Sequence, residues 1–293
     1  LSTMEPVCNT LLASNTLPSG AVVRVFSRLK HVEIEAKKII EKLESESEED
    51  GNQFLVLLRL SSRISKRLFE DHGCLEGVNY RFEFENDTGI LRVVPGYRHD
   101  FTTMGLFQTV TSQLKHMGLV RQFRWRGATI HQSLSREKEG DQVFYPSTRF
   151  PSSNNLPWPT LVIETGTFES SSKLLDDAKW WFGASEGKVR MVILILIKKT
   201  IVRFQQWQLA SPDAPRPLTR TYITTLRQNP NDTPYLQQPY LCAEVDVTQT
   251  TIDGAPLKIP YCGLFDVPVR PSDMQDVVLD EKELRFITEL DFS

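Results

Sequence analysis

Two continuous apolar runs, separated by an amphipathic segment, stand out in the middle of the chain. The first comprises Leu161, Val162 and Ile163 and ends at Glu164, and the second covers residues 191–197. Uninterrupted runs of Leu, Val and Ile are typical of buried strands, and a helical pattern between two of them indicates a crossover connection. We therefore predict a buried strand, a helix and a second buried strand, with a carboxylate at the tip of the first strand.

The helix of this unit has one apolar stripe, formed by Leu174, Leu175, Ala178, Trp181 and Phe182. At about 100° per residue, Lys179 falls at the edge of the stripe and Lys173 falls nearly opposite it. The spacing thus predicts that Lys179 leans toward the sheet and that Lys173 faces away.

The N-terminal part shows helical spacing in two segments, 22–43 and 54–68, joined by an acidic link at 44–51. The outer face of the second segment carries a basic stripe of Arg59, Arg63, Lys66 and Arg67. Such a stripe is either a solvated helix face or a surface for phosphate groups.

Strand period begins at residue 80, where Tyr80, Phe82 and Phe84 alternate with charged residues, and residues 90–94 are predicted to return as a partner strand. A helix is predicted next, from apolar spacing over residues 104–117. His99 precedes it and has no second ligand at metal spacing, so we predict a cap or surface residue.

Arginines and aromatic residues alternate over residues 120–126, with Arg121, Arg124 and Arg126 beside Phe123 and Trp125. As a strand, this segment would place the aromatic rings on one face and Arg124 and Arg126 on the other. Two interpretations remain open: a surface that holds a nucleic-acid backbone and stacks a base, or buried rings beneath an exposed basic edge.

The C-terminal part is β-rich, with strands predicted at 201–209, 222–226 and 241–247, and Asp280 with Glu283 forms a capping box for a short last helix. No internal repeat is evident. We predict one elaborated domain with an N-terminal helical extension (1–75), an α/β core (76–210) and a β-rich C-terminal extension packed on the core (211–293).

Composition narrows the class of protein. The 293 residues are 40% hydrophobic and 24% charged, which is typical of a globular protein, and the net charge is −3. A polyanion site must therefore come from local clustering. The four cysteines form no CxxC pair, which favours reduced thiols in an intracellular protein, of cytoplasm or nucleus, and no apolar run is long enough to predict a membrane span.

Asp141 and Glu164 are the candidate chemical centre. They lie 23 positions apart, each at the end of a predicted strand. Adjacent strands would bring the two carboxylates to one edge of the sheet, where they could hold Mg²⁺ for phosphodiester hydrolysis. The alternatives are a salt bridge for Glu164 and a turn or cap for Asp141. No GxxxxGK[ST], GxSxG or HExxH motif is present, so other common hydrolase classes lack their motifs.

The chain resembles a known family over residues 80–197. The shared order comprises LRVVPG, the helix after His99, Gly140-Asp141, TLVIETG, a Glu-Ser-Ser run, DDAKWW and VRMVILILI. It is similar to the PD-(D/E)XK restriction-endonuclease-like superfamily, in particular to Uma-type proteins and their uncharacterised relatives in filamentous fungi. The resemblance implies an α/β core with a mixed central β-sheet flanked by helices. It assigns the binding of Mg²⁺ or Mn²⁺ to Asp141 and Glu164.

One departure from the family concerns its lysine, because Gly166 stands where the E-x-K motif requires it. Some branches move this cation to the following helix, where Lys179 is predicted to face the carboxylates. The predicted catalytic set is thus Asp141, Glu164 and Lys179. Arg121, Arg124, Arg126, Arg59 and Arg63 are the predicted contacts to nucleic acid, with DNA preferred.

The leading functional hypothesis is a metal-dependent nuclease acting on DNA. The alternative is a catalytically inactive, nuclease-derived module that binds nucleic acid or a protein partner. A homodimer is compatible with either hypothesis.

Overall fold

A computed structural model describes residues 20–45, 52–94, 96–134, 136–152, 156–167, 170–210, 221 and 239–289. Its strands, numbered in chain order, are β1 (Val22–Val25), β2 (Phe54–Leu58), β3 (Tyr80–Glu85), β4 (Thr88–Val93), β5 (Phe123–Gln132), β6 (Arg136–Pro146), β7 (Leu161–Thr167), β8 (Met191–Lys198), β9 (Ile201–Leu209), β10 (Pro239–Thr248), β11 (Ile252–Asp253), β12 (Leu257–Ile259) and β13 (Val277–Leu279). Its helices are α1 (Leu29–Ser45), α2 (Ser62–Glu70), α3 (Gly96–His116), α4 (Ser171–Ala184), α5 (Tyr261–Phe265) and α6 (Glu281–Ile287). Within these ranges no helix has the length and apolar character needed to cross a membrane.

One large mixed sheet forms the centre of the protein. In the described part of the chain its strand order is β1-β2-β4-β3-β6-β7-β8-β9-β10-β11, and β5 pairs with β6 beside this path. The β1/β2 and β7/β8 pairs are parallel and the others are antiparallel. Helices lie against the sheet, which confirms the predicted α/β class with a mixed central sheet.

The two helical segments predicted in the N-terminal part form only in their later portions, because residues 22–25 and 54–58 are strands β1 and β2 of the main sheet. Strand β2 consists of five consecutive apolar residues, four of them buried. A segment without a polar side suits an inner strand, which is covered on both faces, better than an amphipathic helix. Arg59 then turns the chain with a φ of 57°, and α2 begins only at Ser62.

The crossover unit forms as predicted, with β7 and β8 paired in parallel and α4 connecting them, but Glu164 lies in the middle of β7 and not at its tip. The hairpin of β3 and β4 and the strands β9 and β10 also match the predicted segments, and Asp280 with Glu283 forms the capping box of α6. The predicted strand at 222–226 lies outside the described residues.

Strand β6 begins at Arg136, earlier than predicted, so Asp141 lies in the middle of a strand and not at its head.

Strand β6 changes neighbours along its length. On one edge β5 pairs with it from Glu137 to Pro146. On the other edge β3 pairs with its start, up to Lys138, and β7 pairs with its later part, from Gln142 to Phe144. Strands β3 and β7 therefore diverge from the same edge of β6, and we call the gap between them, at Gly140 and Asp141, the fork.

The side chains of β6 also exchange faces at the fork. Lys138 contacts Asp177 of α4, and Val143 packs in the cluster beneath the same helix. Residues five positions apart lie on opposite faces of a regular strand, so the alternation must break between them. This irregularity carries the Asp141 side chain into the gap between β3 and β7.

Candidate functional site

Carboxylates replace missing backbone partners in the fork. The Thr165 N–H of β7 donates to Asp141 Oδ2 at 2.7 Å, and the Phe82 N–H of β3 donates to Glu139 Oε2 at 3.3 Å. Diverging strands lose the ladder bonds that each would otherwise share with β6, and buried backbone groups require a substitute. Asp141 thus has a structural task at the point where the sheet splits.

Arg92 connects the two predicted metal ligands. Its Nη2 atom lies 2.9 Å from Asp141 Oδ2 and 2.9 Å from Glu164 Oε2, while Nη1 donates to the Thr165 carbonyl at 2.9 Å. The exposed fractions of Arg92, Asp141 and Glu164 are 4%, 1% and 0%. The two carboxylates therefore lie side by side, but a buried guanidinium occupies the place between them.

Further cations and donors surround this pair. Lys138 Nζ is 3.2 Å from Glu164 Oε1, which also accepts the Trp181 indole N–H at 2.8 Å. Arg81 Nε is 2.9 Å from Asp141 Oδ1, an ionic contact without hydrogen-bond geometry. Arg81 and Arg92 face each other across β3 and β4, and such like charges repel unless an anion lies between them.

The protonation of Asp141 follows from these contacts. Burial alone would raise the pKa of its carboxyl, but the positive charges of Arg92, His99 and Arg81 outweigh burial and hold the pKa well below its ordinary value. Burial is the largest single influence on the pKa of His99 and lowers it, but Asp141 and Asp100 together raise this pKa above its ordinary value. Asp141 is therefore a permanent anion at neutral pH.

The prediction that His99 is a cap or surface residue is wrong, because it lies within α3, is 4% exposed and has Nε2 3.4 Å from Asp141 Oδ2.

A second ionic cluster adjoins the first. Lys173 Nζ contacts Asp177 Oδ1 at 2.5 Å and Glu83 Oε2 at 2.9 Å, and Arg136 Nη2 contacts the same two oxygens at 2.6 and 2.7 Å. Lys138 joins the clusters, since its Nζ is also 3.0 Å from Asp177. A cavity of about 10 Å³ between them has room for roughly one water molecule.

The carboxylates in this arrangement do not fit a Mg²⁺ site. Mg²⁺ requires several oxygen ligands in an octahedron, with access for water and substrate. Here both carboxylates are buried and already paired with Arg92, and three or more His, Cys, Asp or Glu side chains are nowhere arranged to hold a metal among the described residues. Binding of Mg²⁺ or Mn²⁺ by Asp141 and Glu164, and their catalytic role, stay predictions.

The orientations predicted for the two lysines of α4 are wrong. The Lys179 side chain is 54% exposed and pairs with Asp176 at 3.1 Å, away from the carboxylates. Lys173 is the buried one, with 2% exposure. The helical-wheel argument counted only apolar residues as inward, whereas Lys173 and Asp177 are spaced i, i+4 and enter the protein as a pair.

Packing explains why Gly166 carries no lysine. A Cβ atom at this buried position would lie 2.9 Å from Leu174 Cδ1 and 3.2 Å from Gln53 Nε2. Leu174 itself is 0% exposed, so it has little room to retreat. A side chain at the position that the resemblance assigns to a cation would have to displace Leu174, whereas Lys138 on β6 places a positive charge beside Glu164.

The arginines predicted to contact nucleic acid lie in two separate regions. Arg121, Arg124 and Arg126 are exposed on or just before β5, while Phe123 and Trp125 pack inward against Phe144. Arg59 and Arg63 are exposed near the start of α2, and β4, β3 and β6 separate β2 from β5 in the sheet order. Exposed arginines above inward rings match the second of the two interpretations of the segment 120–126.

An aromatic cluster lies under α4 beside this strand. It comprises His131, Tyr145, Trp158, Trp180 and Trp181, with the His131 ring stacked on Trp158 at 5.2 Å between centroids and His131 Nε2 2.9 Å from the Tyr145 hydroxyl. Burial lowers the pKa of His131 to about 4. The imidazole is therefore neutral in the folded protein at neutral pH.

Sequence reasoning missed the cations of the fork. Arg92 gave one usable signal, because it is the single charge in a strand whose six residues are all buried. A charge inside such a strand requires a buried partner. Arg136 and Lys138 gave no comparable signal, since the run REKEGD looks like a solvated segment.

We expect Arg92→Met to lower the free energy of unfolding by about 3 to 5 kcal/mol, because it leaves two buried carboxylates without their shared cation. Adding Asp141→Asn and Glu164→Gln to this variant should recover part of the loss. Urea unfolding at pH 7 measures both effects, with Arg63→Met as the exposed control. An Arg92→Met protein as stable as the control would contradict the bridging role.

We expect Gly166→Ala to destabilise the protein by about 1 to 3 kcal/mol through overpacking against Leu174. Combined with Leu174→Val, which vacates the contact, the loss should be smaller than the sum of the two single losses. A double-mutant cycle by thermal unfolding measures the difference. Additive losses would show that the two positions do not compete for space.

We expect His131 to make stability pH-dependent between pH 6.5 and about 4. The unfolded state takes up a proton near pH 6.5, whereas the folded state resists it until about pH 4, so stability is full above pH 6.5 and falls on acidification. The difference is on the order of 3 kcal/mol. Denaturant unfolding of wild type and His131→Gln over this range is the measurement, and parallel pH profiles would contradict the assignment.

No family model matches the chain, and no curated protein matches it. Among solved structures, the chain is similar to a crystal structure from Anabaena variabilis described as a candidate nuclease belonging to DUF820. The identity is 16% and the TM-score 0.35, and the match covers 53% of this chain and 86% of that chain. A likeness at this TM-score is too weak to indicate a function.

Proposed function

We propose that the protein is a nuclease-derived module that binds nucleic acid without hydrolysing it. The observation that carries the proposal is the contact of one Arg92 nitrogen with both Asp141 and Glu164, each at 2.9 Å. The sequence resemblance assigns these two carboxylates to a metal. In this protein a guanidinium provides the positive charge between them.

The positive charge around the carboxylates disfavours a divalent cation. The two carboxylates contact Arg81, Arg92 and Lys138, the last shared with Asp177, so their negative charge is already balanced by fixed cations. Admitting Mg²⁺ would require Arg92 to leave two buried partners, which is costly for ion pairs at such depth. The pair therefore serves to hold β4, β6 and β7 together.

The exposed arginines favour nucleic acid as the partner. The exposed basic residues of α1 are largely neutralised locally, as in the pairs of Lys30 and Lys37 with Glu33. Arg121 and Arg126, in contrast, have no acidic partner among the described residues. With a net charge of −3 over the whole chain, such a local unpaired patch is where a phosphate backbone would bind. Homodimer formation and an intracellular location stay predictions.

A cleavage assay tests the absence of hydrolysis. We expect supercoiled plasmid and single-stranded circular DNA to remain intact with Mg²⁺ or Mn²⁺ present. Cleavage by the wild-type protein that Glu164→Gln abolishes would overturn the proposal in favour of the metal-dependent nuclease.

A binding assay tests the arginine patch. We expect Arg124→Ala with Arg126→Ala to weaken retention of DNA and to reduce the slope of log K against log salt by about 1.5, because each phosphate contact contributes roughly 0.7 to 0.9. The control is Lys258→Ala with Lys282→Ala, which removes two exposed charges elsewhere. Equal losses in both double variants would mean that β5 is not the binding surface.

A further inference from the structure

We infer that Trp158 and Trp180 form a stacking surface for unpaired bases, which makes single-stranded nucleic acid the partner of the module. This inference rests on the proposed binding function and specifies its substrate class. The two residues, called the tryptophan pair below, are the half-buried outer members of the aromatic cluster, whereas Trp181 beneath them is fully buried.

The tryptophan pair is held firmly from below. Trp158 stacks on His131 at an interplanar angle of 24°, and Trp180 meets the edge of Trp181 with 5.0 Å between ring centroids. The Arg136 guanidinium lies 5.1 Å from the Trp180 ring. Rings fixed in this way lose little conformational freedom when a ligand stacks on them.

The indole N–H groups of the tryptophan pair differ from those of Trp181 and Trp207. The N–H of Trp181 donates to Glu164, and the N–H of Trp207 donates to Gln205. Within the described residues, those of Trp158 and Trp180 have no protein acceptor. Each half-buried ring thus offers both an apolar face and a free donor, the two features that a nucleobase can use. The fifth tryptophan, Trp125, also has an N–H without a partner, but its ring is packed inward against Phe107 and Phe144.

The exposed arginines lie on the same face of the sheet. Arg124 and Arg126 of β5 pair across the strand with Tyr145 and Val143, whose side chains belong to the cluster that packs against Trp158 and Trp180. Directly opposed residues in a ladder share a face. The Arg124 guanidinium also covers Phe150, a further partner of that cluster, at 4.3 Å.

This combination of groups favours a single strand over other anions. Phosphates at Arg124 and Arg126 would leave the attached bases free to reach the neighbouring indoles, as in proteins that bind single strands by stacking. In a duplex the bases are stacked within the helix, and an acidic polypeptide carries no bases. On α4 itself, the carboxylate of Asp176 is paired with Lys179.

The test compares three labelled ligands of equal length: oligo-dT, an abasic strand with the same phosphates, and a blunt duplex. We expect the full chain to bind oligo-dT about tenfold more tightly than the abasic strand, because stacking contributes on that scale. Binding should also quench tryptophan fluorescence. Fluorescence anisotropy measures the affinities.

Variants then locate the effect. Trp158→Ala with Trp180→Ala should lower oligo-dT affinity to that of the abasic strand, while Trp158→Phe with Trp180→Phe keeps rings in place and should retain most of it. Trp207→Ala on β9 is the matched control for loss of a half-buried tryptophan. The Phe variant and the control guard against loss of folding as the cause.

Each outcome is decisive. Equal binding of oligo-dT and the abasic strand, unchanged in the aromatic variants, would overturn the stacking inference and leave the proposed binding function intact. Polyglutamate serves as a fourth ligand. If it bound as tightly as oligo-dT, the stacking inference would also be overturned, because the surface would then recognise negative charge alone. No salt-dependent binding of any of the three DNAs would overturn the proposed function itself.

Discussion

The guanidinium of Arg92 is the group on which the centre of this protein depends. Two ionised carboxylates cannot remain buried side by side without a cation, because both desolvation and mutual repulsion oppose them. Arg92 contacts both carboxylates at 2.9 Å and also binds the Thr165 carbonyl. A single side chain of β4 therefore connects β6 and β7. The position of each partner is set by this contact.

The same requirement for charge balance explains the rest of the network. Once β3 and β7 diverge from β6, Asp141 and Glu139 satisfy the freed N–H groups and bring negative charge into the interior. Lys138 and Arg136 enter from β6, and Lys173 enters from α4, as the matching cations. The charges inside the sheet are thus paired with one another, whereas Arg124 and Arg126 of β5 are exposed to a partner.

The proposed function separates two tasks that the resemblance places in one site. Buried charge stabilises the split sheet, while exposed arginines and half-buried indoles on the α4 side of β5 meet the ligand. Gly166 belongs to the first task, because a side chain at this position would press against the buried Leu174.

The periodicity of apolar and polar residues in the sequence was enough to predict the elements that have one apolar and one polar face. The crossover from β7 through α4 to β8, the β3/β4 hairpin and the capping box of α6 all followed from local patterns, since each has one clearly apolar side or a fixed spacing of polar groups. It also identified Asp141 and Glu164 as the carboxylates to explain. Segments buried on all sides, such as β2, were mistaken for helices because they have no polar face to show a period.

Only the tertiary structure decided what neutralises the carboxylates. Arg92, Lys138 and Lys173 come from three elements, and no local pattern records that their charges meet. A charged side chain looks solvated in sequence, because its burial depends on a partner that is distant along the chain. The sequence by itself therefore singled out Asp141 and Glu164 but placed them at strand ends, and the tertiary structure decided that both lie within strands with a guanidinium between them.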